Sequence, residues 1–160
     1  IRVLTMSKTP SDRIPEPGQG KRGEEGHIGY LLRQAAAAHR HRMEKALATF
    51  GITPPQFVVL TMLNAYPGRS NADLARVALL TPQTVSVIVA NLERSGLIGR
   101  RPHAVHGRIR HIDLTEKGVA LLEDASATVE RVDDGLLAGL MPAEEEIVRR
   151  WLVFAAIGAA

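Results

Sequence analysis

Apolar positions recur at helical spacing through most of the chain, and one stretch breaks that rhythm. After Thr81, the residues Val85, Ile88, Val89 and Leu92 fall at i, i+3, i+4 and i+7 and predict a helix with one buried face. Gln83, Thr84, Ser86, Val87 and Asn91 are left largely on its outer face. Upstream, residues 26–50 predict a helix with Ile28, Leu31, Leu32, Ala35, Ala38, Met43, Ala46 and Leu47 on an approximate stripe, ended by Gly51. Thr53 caps a second helix with Pro54 at its first position, ahead of Phe57, Leu60 and Leu63, and Pro67-Gly68 stops it. Ser70, with Asp73 three residues later, opens a short helix through an acidic variant of the capping box. Ala78-Leu79-Leu80 joins that helix to the Thr81 cap, and Ser95-Gly96 closes the next one. Two short helices this close, the second polar outside, have the form of a helix-turn-helix.

Beyond Gly96 the period changes. Residues 97–101 and 108–114 read as two strands, with Pro102 and Gly107 bracketing the turn and Ile98, Ile112 and Leu114 at the base. Thr115 then caps a long helix whose Leu122, Ala125, Val129, Val132 and Leu136 form a heptad-like seam that needs another helix to cover it. Met141-Pro142 interrupts. Glu144, Glu145 and Glu146 occupy the first turn of a last helix striped with Ile147, Trp151 and Phe154. Residues 1–25, rich in Pro, Gly, Lys and Arg, read as a flexible arm, within which Met6 is a plausible start residue. The expected class is mainly α with a small β-hairpin wing: a winged helix-turn-helix lobe over 53–114, and a helical dimerisation region over 26–52 and 115–157.

Composition and charge sharpen this picture. The chain has 160 residues, 45% of them hydrophobic but only 4% aromatic, so its core must be aliphatic, which favours packed helices. The net charge is +3 and the pI about 9.7. Of 20 basic residues only Lys8, Lys21, Lys45 and Lys117 are lysine, and arginine suits bidentate phosphate and guanine contacts. From Arg94 to Ile112 the chain carries Arg94, Arg100, Arg101, Arg108 and Arg110 and no acid, a concentration of one sign that points to a phosphate backbone. No cysteine is present, which excludes disulfides and thiolate chemistry. No signal peptide or span of membrane length is read, so a cytoplasmic protein is expected. No P-loop, H-E-x-x-H or G-x-S-x-G occurs. His39 and His41 point to different helix faces, and His103, His106 and His111 lie in or beside the turn. Neither an enzyme nor a metal or cofactor is expected.

TPQTVSVIVANLERSGLIGRR, followed by HGR and DLTEKG, resembles the recognition helix, its exit, the wing and the long-helix entry of the MarR family of winged-helix transcriptional regulators. Gly51-Ile52-Thr53 with Gln56-Phe57 is similar to that family's junction between its first two helices. The resemblance covers roughly residues 26–157. It implies an obligate homodimer on a pseudo-palindromic operator in double-stranded DNA, commonly as a repressor. The implied contacts are Pro82, Gln83, Thr84, Ser86, Val87 and Asn91 toward bases, and Ser70 and Asn71 toward phosphates. Arg108 would enter a minor groove, with Arg100, Arg101 and Arg110 on nearby backbone. His106 stands where many members carry an acid two residues before the wing arginine, and Val87 where many carry a basic residue, so the operator is not inherited from relatives. The family also implies a small phenolic or carboxylate effector, for which Tyr30, Arg33 and His39 are the candidates. The alternative is a helical protein–protein module without specific DNA binding, which leaves the arginine hairpin unexplained.

Overall fold

The computed structural model describes residues 14–102 and 110–158. Its elements are a 3₁₀ turn at Gly20–Arg22, then α1 (Ile28–Ala48), α2 (Pro54–Ala65), α3 (Asn71–Val77), α4 (Pro82–Arg94), β1 (Ile98–Pro102), β2 (Arg110–Leu114), α5 (Glu116–Leu137) and α6 (Pro142–Ile157). The chain divides into two compact units, Ile1–His39 and Arg40–Ala160. The division falls inside α1, whereas the sequence suggested a boundary after residue 52. The reason is local: Met43 and Leu47, on the second half of α1, are buried in the core of the second unit.

In the first unit, the described part of the arm expected over 1–25 carries a 3₁₀ turn and polar contacts to α1. The Arg22 Nε donates to Gln34 Oε1 at 3.3 Å, and Gln34 Nε2 donates back to the Arg22 carbonyl at 3.0 Å. Arg22 also donates to the Pro15 carbonyl at 2.8 Å. These polar contacts order residues 15–22 without any buried apolar residue in the 3₁₀ turn. Residues 1–13 of the expected arm lie outside the described residues.

The second unit is built on caps read from the sequence. Thr53 Oγ1 accepts from the Gln56 N–H while Gln56 Oε1 accepts from the Thr53 N–H at 2.8 Å, a complete capping box. Thr81 accepts from the Thr84 N–H at 3.1 Å, and Thr115 from the Gly118 N–H at 3.1 Å. A Ser, Thr, Asn or Asp cap is worth about 1 kcal/mol. Gly51 and Gly96 exit α1 and α4 at φ of +67° and +70°. The end of α3 is different. Leu80 N–H reaches the Ala75 carbonyl and Leu79 N–H the Arg76 carbonyl, the Schellman pattern, and the residue in its left-handed position is Leu79, at φ +54°.

The strands pair antiparallel, with Ile98 opposite Leu114, Arg100 opposite Ile112 and Pro102 opposite Arg110. Away from the turn β1 starts one residue after the predicted 97 and β2 ends at the predicted 114, and the turn between the strands lies outside the described residues. Arg69 adds an isolated antiparallel bridge to Ile112, a third strand fragment that no alternation in the sequence announced. Leu47, Leu60, Leu63, Leu74, Leu92 and Ile112 are fully buried at the centre of the core. The α5 seam divides: Leu122, Ala125 and Val129 are buried in this same core, whereas Leu136 is exposed. That part of the seam is covered within the chain, where α5 packs against α2. On α6 no residue is buried.

One glycine locks the entry to α5. A Cβ on Gly118 would lie 2.0 Å from the Leu97 carbonyl oxygen. The same corner holds Thr115 Oγ1 donating to the Gly96 carbonyl at 2.7 Å and Lys117 Nζ donating to the Ser95 carbonyl at 2.8 Å. The end of α4, the start of β1 and the start of α5 are thus fixed as one joint, and this fixes the angle at which the hairpin leaves α4.

Candidate nucleic-acid interface

The α4 helix presents two unlike faces. Val85, Ile88, Val89 and Leu92 are buried, each worth about 1.5–3 kcal/mol relative to exposure. Pro82, Gln83, Thr84, Ser86 and Val87 are exposed, and Asn91 is half-buried. The polar side chains on the outer face are not equally free. Thr84 Oγ1 shares a hydrogen bond with Thr81 Oγ1 at 2.8 Å. Ser86 Oγ donates to the Pro82 carbonyl at 2.9 Å and accepts from Asn71 Nδ2 at 3.3 Å. Asn91 Oδ1 accepts from Arg94 at 3.1 Å. Among the described residues Gln83 makes no side-chain hydrogen bond, so both ends of its amide are available to a base edge.

Asn71 links α3 to α4 through Ser86, and its own Oδ1 is shielded from solvent with no partner. Ser70 is engaged in the α3 capping box. Its hydroxyl donates to Asp73 Oδ2 at 2.7 Å and accepts from the Asp73 N–H at 3.3 Å. Those bonds from Ser70, with the Arg76 guanidinium bonded to the same carboxylate, hold Asp73 below the usual carboxylate range. Both predicted phosphate contacts on α3 are therefore already bonded within the lobe.

The arginines that drew attention in the sequence are also paired. Arg100 Nε donates to Glu93 Oε2 at 3.0 Å. Arg101 grips Asp113 through two bonds, Nη2 to Oδ1 at 3.2 Å and Nε to Oδ2 at 2.5 Å, and this carboxylate raises its pKa further. Glu93 and Asp113 stand one residue outside each end of the acid-free window, so the run lacks acids along the chain but not in space. Arg110 lies in β2, while Arg108, His103 and His106 lie outside the described residues. Arg69, not singled out in the sequence, places its guanidinium 5.7 Å from the centroid of the Tyr66 ring. The Pro67-Gly68-Arg69-Ser70 run beside a helix cap was the available signal for it.

The effector candidates fall in the first unit. Tyr30 and Arg33 are exposed, and the Tyr30 hydroxyl is 3.5 Å from Gln34 Oε1. His39 is half-buried, with Nδ1 shielded and unbonded. They do not line the groove of about 390 Å³ in the second unit, which is formed by Arg40, Glu44, Pro54, Pro55, Val58, Ala78 and Leu80. Among the described residues, no three His, Asp or Glu side chains converge as metal ligands. Nor is any single described helix long and apolar enough to cross a membrane.

A capped helix with an exposed polar face, preceded by a short helix at a tight turn and followed by an antiparallel hairpin, defines a winged-helix DNA-binding protein. Residues 50–109 match the family model described as MarR family. The chain is 36% identical over 129 residues to the HTH-type transcriptional repressor Rv2887 of Mycobacterium tuberculosis, covering 81% of this chain and 93% of that protein. The solved structure of Rv2887 in complex with DNA superposes with a TM-score of 0.68 at 34% identity, over 84% of this chain and 99% of that one. Its complex with salicylic acid gives 0.66 at 36% identity, over 84% and 98%. The chain belongs to the MarR family of transcriptional regulators, as the resemblance read in its sequence implied.

Proposed function

We propose that this chain represses transcription as a homodimer that inserts the two α4 helices into successive major grooves of a pseudo-palindromic site, roughly 34–36 Å apart, and leaves DNA on binding a small aromatic carboxylate. The observation that carries the reading is the outer face of α4, where Gln83 stands unbonded above a fully buried inner face. Gln83 is assigned to a base pair, with Thr84 beside it and Pro82 and Val87 offering apolar contact to thymine methyls. Ser86 and Asn71 hold α3 against α4, Ser70 caps α3, and all three meet DNA through what their internal bonds leave over. Arg108 and Arg110 are assigned to the minor groove and its backbone. Arg100 and Arg101 principally hold the hairpin in place, since each must loosen a carboxylate before meeting a phosphate. The partner copy covers α6, where Ile147, Trp151 and Phe154 are exposed on one helix.

The effector is assigned to the groove at Arg40 rather than to Tyr30, Arg33 and His39. The Arg40 guanidinium and the apolar Pro54, Pro55, Val58 and Leu80, with Glu44 also lining the groove, suit an aromatic ring that bears a carboxylate for the cation and a hydroxyl or amine donor for Glu44. The relative Rv2887, solved with salicylic acid and with p-aminosalicylic acid, supports that ligand class. Such a ligand acts by binding one arrangement of the lobes better than the other. Footprinting on the region upstream of the chain's own gene tests the reading. A two-fold symmetric protected site, lost on adding salicylate and retained by Arg40→Ala in the same salicylate, is expected. A monomer in sedimentation, or no protection of any duplex, breaks it.

A further inference from the structure

The pairing of the hairpin arginines raises the question of which described cation of this lobe is left for a phosphate. Arg76, Arg100 and Arg101 are bound to Asp73, Glu93 and Asp113. Arg94 and Arg69 are not: among the described residues no carboxylate lies within ion-pair distance of either, but Arg94 donates to Asn91 Oδ1 at 3.1 Å, whereas the contact of Arg69 is the Tyr66 ring. A ring holds a guanidinium by its quadrupole without cancelling its charge, and it leaves the in-plane N–H donors unspent.

The segment carrying Arg69 is also rigidly mounted. The Gly68 N–H donates to the Ile112 carbonyl at 3.2 Å, and the His111 Nδ1 is hydrogen-bonded to the Gly68 carbonyl. Arg69 itself bridges to Ile112. Gly68 sits at φ +74° with the His111 ring 3.1 Å from where a Cβ would be, so the turn is pressed onto β2. On its other side it runs directly into Ser70, the cap of α3. Arg69 therefore stands between the hairpin and the helix-turn-helix, the two parts of a winged helix that flank the groove entered by α4.

We propose that Arg69, stacked on Tyr66, is a backbone-phosphate contact of this protein. This rests on the DNA-binding reading above and adds to it a residue and an element, the α2–α3 turn. An arginine ordered in advance loses less side-chain entropy on contact than a free one, and an uncancelled charge displaces a condensed counterion where a neutralised pair does not. The contact positions the lobe on the duplex and reads no sequence.

Because the contact is indifferent to sequence, a labelled random-sequence duplex suffices as the probe. Affinity is measured by anisotropy over a series of salt concentrations. Arg69→Ala should flatten the slope of log K against log salt by about 1.8 for the dimer, about 0.9 for each of its two Arg69 side chains, which is roughly a sixtyfold loss at 0.1 M salt relative to a 1 M reference. Arg69→Lys should keep the slope, and Tyr66→Leu should keep it while weakening binding. If the alanine chain melts early, Arg69→Met, which retains an apolar stem on the ring, repeats the measurement in a folded protein. A wild-type slope in a folded, uncharged variant overturns the assignment of Arg69. A wild-type chain that binds no duplex even at low salt instead overturns the DNA-binding reading on which it stands.

Discussion

Helices α4 and α6 follow the same rule of sequence and meet opposite fates. Each carries an apolar stripe at helical spacing and a proline in its first turn. On α4 the stripe is finished inside the chain, with Val85, Ile88, Val89 and Leu92 at 7% exposure or less. On α6 Ile147, Trp151 and Phe154 are 41–59% exposed. The difference separates what folds the lobe from what joins two lobes. A helix whose apolar face is satisfied at home can offer its other face to a ligand. One whose apolar face is open needs a partner first.

The largest effect should separate these two fates directly. Leu92→Ala opens a cavity in the core and should destabilise the lobe by about 2–5 kcal/mol, read as a lowered melting temperature. Trp151→Ala should leave the lobe folded and shift sedimentation toward the monomer at low protein concentration. If Trp151→Ala lowered lobe stability as Leu92→Ala does, α6 would belong to the core after all. Next comes Gln83→Ala, which should weaken binding to the footprinted site by about 1–3 kcal/mol and relax preference at one base pair, with an unchanged melt. A uniform loss across all sequences would instead make Gln83 a backbone contact.

A smaller change concerns the turn leading into α4. Leu79 is 92% exposed yet held in a left-handed conformation, so Leu79→Gly loses no burial and should raise stability by about 0.5–1 kcal/mol in a thermal melt. The smallest is acid dependence. Because Asp73 is held below its ordinary range, the stability it supplies is complete above that range and is lost as pH falls through its folded value. Wild type and Asp73→Asn should therefore differ near neutrality, and the difference should begin to shrink as pH falls to about 4 and close only below the lowered folded value of Asp73.

Much of the lobe was legible because its determinants are local. Thr53, Ser70, Thr81 and Thr115 cap the helices they were read to cap, since a cap needs only a hydroxyl and an N–H three residues on. The hairpin was found but its third strand fragment was not, because one residue, Arg69, carries no alternation. The charge count along the chain was incomplete for a similar reason. Counting acids from Arg94 to Ile112 could not see Glu93 fold back onto Arg100 or Asp113 onto Arg101 across the register. Nor could spacing divide the α5 seam, whose Leu122, Ala125 and Val129 are buried in the core and whose Leu136 is exposed.

Sequence alone determined the helices, their caps and stops, the family, and the polar outer face of α4, all set by neighbours within a few residues. Tertiary structure decided which arginines keep an open charge, where a groove forms beside Arg40, and that Gly118 must be glycine beneath the Leu97 carbonyl. These depend on residues far apart in the chain coming within a few ångströms, and Coulomb attraction and steric exclusion act on that distance rather than on order along the chain.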